Sequence, residues 1–171
     1  MAINIEELYL EAEADIKNSA YVEAYKKYES ILYEEPDYAP AHNSMGWLLK
    51  NQFDDIEKAE NHFLAAIRTR PLYPHPYFHY AVLLTDMERY AELEKHLNAC
   101  LKIPTIEKSW VHARRGILKE LQLQFEEAIK NYETAILTTL SDEKIKDYKA
   151  DIERCKQKIE LQEKKETSSN A

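Results

Sequence analysis

The sequence predicts an all-α chain made of antiparallel helix pairs repeated along its length. Three observations carry this. Small and apolar residues recur in register every 34 or 35 positions. Between them, apolar residues fall at helical spacing. The chain also holds only two glycines, Gly46 and Gly116, too few for the many tight turns of a β-rich fold.

A period of 34 or 35 residues runs along the chain, the signature of a repeat architecture. Ala12, Gly46, Ala81 and Gly116 are separated by 34, 35 and 35. Ala24, Ala59, Leu93 and Ala128 follow at 35, 34 and 35, and Tyr28, Phe63, Leu97 and Tyr132 keep the same spacings. Ile31, Ala66, Cys100 and Ala135 form a fourth column, and Leu32, Ile67, Leu101 and Ile136 a fifth. Five columns in one register lie far beyond chance.

Each unit divides into two helices. In the first unit Ala24, Tyr28, Ile31 and Leu32 stand at offsets of 4, 7 and 8, one face of a helix. The preceding half is also helical, as in His42, Met45, Gly46 and Leu49. Short polar turns join the halves: Asn18-Ser19, Asn51-Gln52, Asp86-Met87-Glu88 and Gln122-Leu123-Gln124. Pro36, Pro71 and Pro104 follow the second helices; proline lacks an amide hydrogen and fixes φ, so it stops a helix. A small residue on the first helix lets the second come close. No pair buries its apolar face alone, so stacked neighbours complete the core.

The columns, and above all Gly46…Ala59…Phe63…Ala66…Pro71 and Gly116…Ala128…Tyr132…Ala135, resemble the tetratricopeptide repeat family. The stretch FEEAIKNYETAI (Phe125–Ile136) is close to that family's second helix. The resemblance implies an α-solenoid, a right-handed superhelix of antiparallel pairs. It places repeats over about 4–36, 37–71, 72–105 and 106–140, a C-terminal capping helix over 141–166, and a disordered tail over 167–171. Departures are an extra residue between the helices of repeat 2, around Gln52–Asp55, and Leu93, Leu97 and Cys100 in repeat 3. Pro104 comes one position early, Leu140 replaces proline in repeat 4, and Leu101–Ser109 is expected to be irregular. In the capping helix, Ile145, Tyr148, Ile152, Cys155 and Ile159 form an apolar stripe, with Ser141 as N-cap.

In this family the first helix of each pair lines a concave groove. Carried onto this sequence, the groove candidates are Tyr9, Asn43, Trp47, Lys50, Asn51, His75, Phe78, His79, Trp110 and Arg114, with Glu13, Val82, Ile117 and Glu120 beside them. Aromatic side chains give large contact area at little rotamer cost, which suits a peptide or protein partner. Packing between helices is the other reading of Trp47 and Phe78. One subgroup of the family grips a terminal carboxylate with basic side chains and asparagines. The matching positions here read Tyr9, Glu13, His75 and His79, so that clamp is absent.

The charge is −8, and the early acidity of Glu6, Glu7, Glu11, Glu13, Asp15, Glu23, Glu29, Glu34, Glu35 and Asp37 faces only Lys17, Lys26 and Lys27. Such a surface repels phosphate backbones, which argues against nucleic acid, and steers basic peptides; it also serves solubility. Nucleotide sites built on glycine-rich turns are excluded, so no cofactor is expected. His75 and His79 have a spacing that can hold zinc, but stacking or polar groove contacts explain them better. Cys100 falls in a core column and reads as inert. No catalytic constellation emerges, and an enzyme is not expected. No signal segment or membrane span is seen, and Cys100 and Cys155 lack disulfide spacing, which points to the cytoplasm. The expected function is that of an adaptor for a protein or peptide. The alternatives are a secretion-type chaperone dimerising through Ile3, Ile5, Leu8 and Leu10, and a self-assembling scaffold.

Overall fold

The computed structural model describes residues 4–169, with side chains through Lys165. Within them every regular element is a helix, and the chain divides into two units, 4–88 and 89–169. The first unit holds α1 (Ile5–Lys17), α2 (Tyr21–Glu34), α3 (Ala39–Gln52), α4 (Ile56–Thr69) and α5 (His75–Asp86). The second holds α6 (Tyr90–Cys100), α7 (Lys108–Leu121), α8 (Phe125–Thr138) and α9 (Asp142–Ser169). Each helix of a unit packs on the next, and α3 also meets α5.

The repeat columns are the core. Every member of the second, third and fourth columns is at most 1% exposed, from Ala24 and Tyr28 to Tyr132 and Ala135. The leucines and cysteine of the third repeat therefore occupy the same buried positions as the alanines and rings elsewhere. Gly46 and Gly116 allow the closest approaches. A Cβ on Gly46 would stand 2.7 Å from the Phe63 ring, and one on Gly116 2.5 Å from the Tyr132 ring.

The turns share one device that carries no glycine. Ser19, Asp54, Glu88 and Leu123 all have positive φ, between 53° and 60°. Each sits centrally in a three-residue turn. The first and last are closed by paired backbone bonds: Ala20 N–H to Asp15 O with Ser19 N–H to Ile16 O, and Gln124 N–H to Lys119 O with Leu123 N–H to Glu120 O. This is a Schellman closure, which wants a left-handed residue and ordinarily takes glycine. The extra residue of repeat 2 does not lengthen the turn. It is absorbed in the last turn of α3, where Asp55 N–H reaches back six residues to Leu49 O.

The helix stops follow the sequence. Pro36 and Pro71 lie two residues beyond α2 and α4. Pro104 lies four beyond α6, inside the seven-residue connection 101–107, where Ile106 turns inward and is 4% exposed. Ser141 Oγ caps α9 by accepting from Lys144 N–H at 3.3 Å. The stripe of α9 is covered by its neighbours. Ile152 and Cys155 join Phe125, Ala128 and Tyr132, while Tyr148 joins Ala113 and Ala135. The helix continues to Ser169, past the expected end at 166 and into the segment read as a disordered tail. Residues 170–171 of that tail, and Ile3, lie outside the described residues.

Two histidines tie α3 to α4. His42 Nε2–H donates to Pro36 O at 2.8 Å, so its Nδ1 is bare and accepts from His62 Nδ1–H at 2.9 Å. A second proton on this contact would set two N–H groups against each other. Burial above all pushes His62 down to about 4. Neutral His62 is thus favoured in the native state, and the unfolded ring takes its proton first as pH falls. Stability is expected to drop by about 2 kcal/mol between pH 6.5 and 4, allowing for partial exposure. Urea unfolding of wild type and His62→Gln across that range checks it; the variant should lose this part of the slope.

Candidate functional site

The first helices of the first unit turn one side onto a cavity of about 350 Å³. Helix α1 supplies Tyr9, Glu13 and Ile16, α3 supplies Asn43, Ser44 and Trp47, and α5 supplies His75 and His79. Tyr28 of α2 and Tyr73 before α5 close it. The placement follows from helical spacing: Tyr9 and Glu13, Asn43 and Trp47, and His75 and His79 are each four residues apart on one face.

A chain of hydroxyl bonds fixes the floor. Ser44 Oγ–H and Tyr28 Oη–H each donate to Glu13 Oε1 at 2.6 Å. Because Ser44 has spent its proton, Tyr9 Oη–H is the donor to Ser44 Oγ, at 3.2 Å. Both carboxylate bonds land on Oε1; Oε2 takes neither. Burial first, and the charge of Glu13 beside them, raises the phenols of Tyr9, Tyr28 and Tyr73. Tyr9 also meets Tyr38 edge-on at 5.7 Å, which orients its ring.

The α3–α5 side is set by a second bond. His79 Nδ1–H donates to Asn43 Oδ1 at 2.9 Å, with Asn43 only 6% exposed. The His79 ring lies 5.6 Å from that of Phe63. Burial, then His75 and Lys50, lowers the His79 pKa below its ordinary value, so this ring is neutral at pH 7. His75 is exposed and meets the Tyr73 ring at a tilt, 5.1 Å between centroids.

Five of the ten groove candidates therefore come together: Tyr9, Asn43, Trp47, His75 and His79. Phe78 stands beside the cavity and meets His75 edge-on at 6.3 Å. Lys50 pairs with Asp86 at 2.6 Å, and exposed Asn51 donates to the Trp47 carbonyl at 2.8 Å. Trp110 and Arg114 belong to the second unit, where the guanidinium lies 5.8 Å from the indole. Val82 and Ile117 are half-buried. Glu120 is committed to internal bonding: its carboxylate, 9% exposed, takes Tyr132, Arg154 and Lys158. Arg115 meets the Glu94 carboxylate at 3.4 Å and also bonds Asn98. The residues that sequence reasoning missed are Ile16, Tyr28, Ser44 and Tyr73. Tyr28 stood in a core column, where only its hydroxyl could have suggested a second role.

A wider hollow of about 640 Å³ lies between α2, α3 and α4, but Glu29, Ser30, Tyr33 and Glu34 on its wall are exposed. Both cysteines are buried thiols, and burial pushes Cys100 up to about 12 and Cys155 to about 11. Among the described residues no group of three His, Cys, Asp or Glu converges to hold a metal, and no helix is long and apolar enough to cross a membrane.

The chain is 31% identical over 119 residues to human Tetratricopeptide repeat protein 6, covering 70% of this chain and 22% of that protein. This chain is built of tetratricopeptide repeats. It spans about a fifth of the length of that relative. No family model matches it. Solved structures share the tetratricopeptide fold. A human IFIT1 dimer with PPP-AAAA superposes with a TM-score of 0.76 at 18% identity, over 96% of this chain and 42% of that one. Pseudomonas aeruginosa pilF gives 0.71 at 16%, over 92% and 74%. TTC0263, a thermophilic tetratricopeptide protein of Thermus thermophilus, gives 0.68 at 15%, over 87% and 81%. At these identities the likeness is one of fold.

Proposed function

We propose that this chain is a binding protein rather than an enzyme: an adaptor that holds a segment of a partner protein against the first helices of its repeats. The observation that supports this best is the cavity of α1, α3 and α5. It combines half-buried aromatic surface with a few oriented polar groups, the composition typical of recognition sites. Trp47 is the largest side chain that lines it, and Asn43, His79 and Ser44 are held by bonds that fix their direction. Trp110, with Arg114 against it, is a second anchor on the other unit. Two buried free thiols fit a reducing setting, and we place the chain in the cytoplasm.

Partner recovery from cell extract should fall at least tenfold for Trp47→Ala, in line with the cost of losing an aromatic anchor. Trp110→Ala should reduce it less. Unchanged recovery with both variants would remove the groove from the account. Self-association through the first helix pair, which a secretion-type chaperone would use, has Leu10 and Val22 in its favour, 68% and 51% exposed. Ile5 and Leu8 are half-buried. Light scattering at twice the chain mass would support that reading; the single-chain mass would exclude it.

A further inference from the structure

We infer that the α1–α3–α5 cavity is a receptor for a cationic side chain, lysine or arginine, presented by an extended basic segment of the partner. The inference rests on the groove reading and adds the chemistry of its occupant.

Four features of the site converge on a cation. Trp47, Tyr9 and Tyr73 place aromatic rings around the cavity, and such rings attract ammonium and guanidinium groups. Glu13 places a carboxylate among them. Its Oε1 is tied to Tyr28 and Ser44, which fixes the group, while Oε2 takes neither of those bonds. Two of the nearby positive charges are compensated, Lys50 by Asp86 and Lys27 by Glu11 and Asp15. Finally, Tyr73 already takes a guanidinium of this chain, Arg70, at 5.8 Å, a direct instance of the contact proposed.

The field around the site agrees. Residues 4–88 carry sixteen Asp and Glu against seven Lys and Arg, a net −9, whereas residues 89–171 carry fifteen against sixteen. The acidity of the whole chain thus lies on the unit that holds the cavity. An acidic peptide would meet Glu13 and this field with like charge. A basic one is steered inward and ends with its charge between a carboxylate and aromatic rings.

The test is selection from a library of random dodecapeptides displayed on phage, panned against the full chain. The expected result is enrichment of sequences with lysine or arginine at one fixed position. The best peptide, made synthetically and labelled with fluorescein, should bind at least tenfold more weakly when that residue becomes glutamine. The same loss should follow Glu13→Gln, which keeps an acceptor for Tyr28 and Ser44. Glu7→Gln, an equal change of charge at an exposed position of α1, should leave binding within twofold; circular dichroism checks the fold of each variant. Enriched peptides without a fixed cation, or an equal loss with Glu7→Gln, would overturn the inference while the groove stands. Peptides that bind Trp47→Ala as tightly as wild type, or no enrichment at all, would overturn the groove reading as well.

Discussion

Tyr132→Ala should lose about 4 kcal/mol of unfolding free energy, near the top of the range for removing a buried ring. The ring is fully buried, lies against Gly116, and joins Phe125, Ala128, Ile152 and Cys155 in one cluster of α8 and α9. Its hydroxyl also donates to Glu120 at 3.1 Å, so truncation removes both packing and a bond between α8 and α7. The complementary change identifies the cause. Gly116→Ala places a methyl where the ring already stands and should cost about 2 kcal/mol through overpacking. In the Tyr132→Ala background the same methyl enters vacated space on a helix that favours alanine. There it should cost nothing, or stabilise by a few tenths of a kcal/mol. Urea unfolding of the four proteins gives this cycle. Additive losses would mean that Gly116 does not serve the approach of the Tyr132 ring.

Glu120→Ala should cost about 2 kcal/mol, because it leaves the buried Tyr132 hydroxyl without its acceptor and removes the ion pairs to Lys158 and to Arg154, which keeps Asp151. The carboxylate accepts from Arg154 Nε and Nη2 at 2.8 and 2.7 Å and from Lys158 Nζ at 2.6 Å, joining α7 to α9. Arg154 above all holds the Glu120 carboxyl at about 2, against an ordinary 4.5. The native state thus favours the ionised form. Its contribution is complete above pH 4.5 and lost as pH falls toward 2. Wild type should lose stability over that interval and Glu120→Gln should lose correspondingly less. Glu107, Asp55 and Glu92, also lowered by basic partners, contribute the same slope to both proteins. The window overlaps that of His62 only between pH 4 and 4.5, so the two effects separate in one pH series.

The repeat was legible because its columns are the core: residues that must be small or large at fixed positions leave a period in the sequence. The turns were not legible in the same way. A left-handed residue usually announces itself as glycine, and here serine, aspartate, glutamate and leucine fill Ser19, Asp54, Glu88 and Leu123. Only the spacing of the columns hinted that these positions correspond. The site was half legible. The family resemblance placed Tyr9, Asn43, Trp47, His75 and His79 in one groove. It could not tell that Glu120, on a groove-facing position, would be taken up by Arg154 and Lys158 from α9. Nor could it show that Ser44, one residue from Asn43, would bridge Tyr9 to Glu13. Such contacts depend on how far apart the helices stand, which the sequence pattern does not encode.

In the proposed function a partner segment is held against α1, α3 and α5. Trp110→Phe leaves Trp47 as the sole tryptophan, a reporter inside the cavity. Titrating that variant with the selected peptide, and following Trp47 emission beside the anisotropy of the fluorescein label, tests the claim directly. Both signals should change together and saturate at the same peptide concentration. Saturating anisotropy with Trp47 emission unchanged would place the peptide elsewhere on the chain and contradict it.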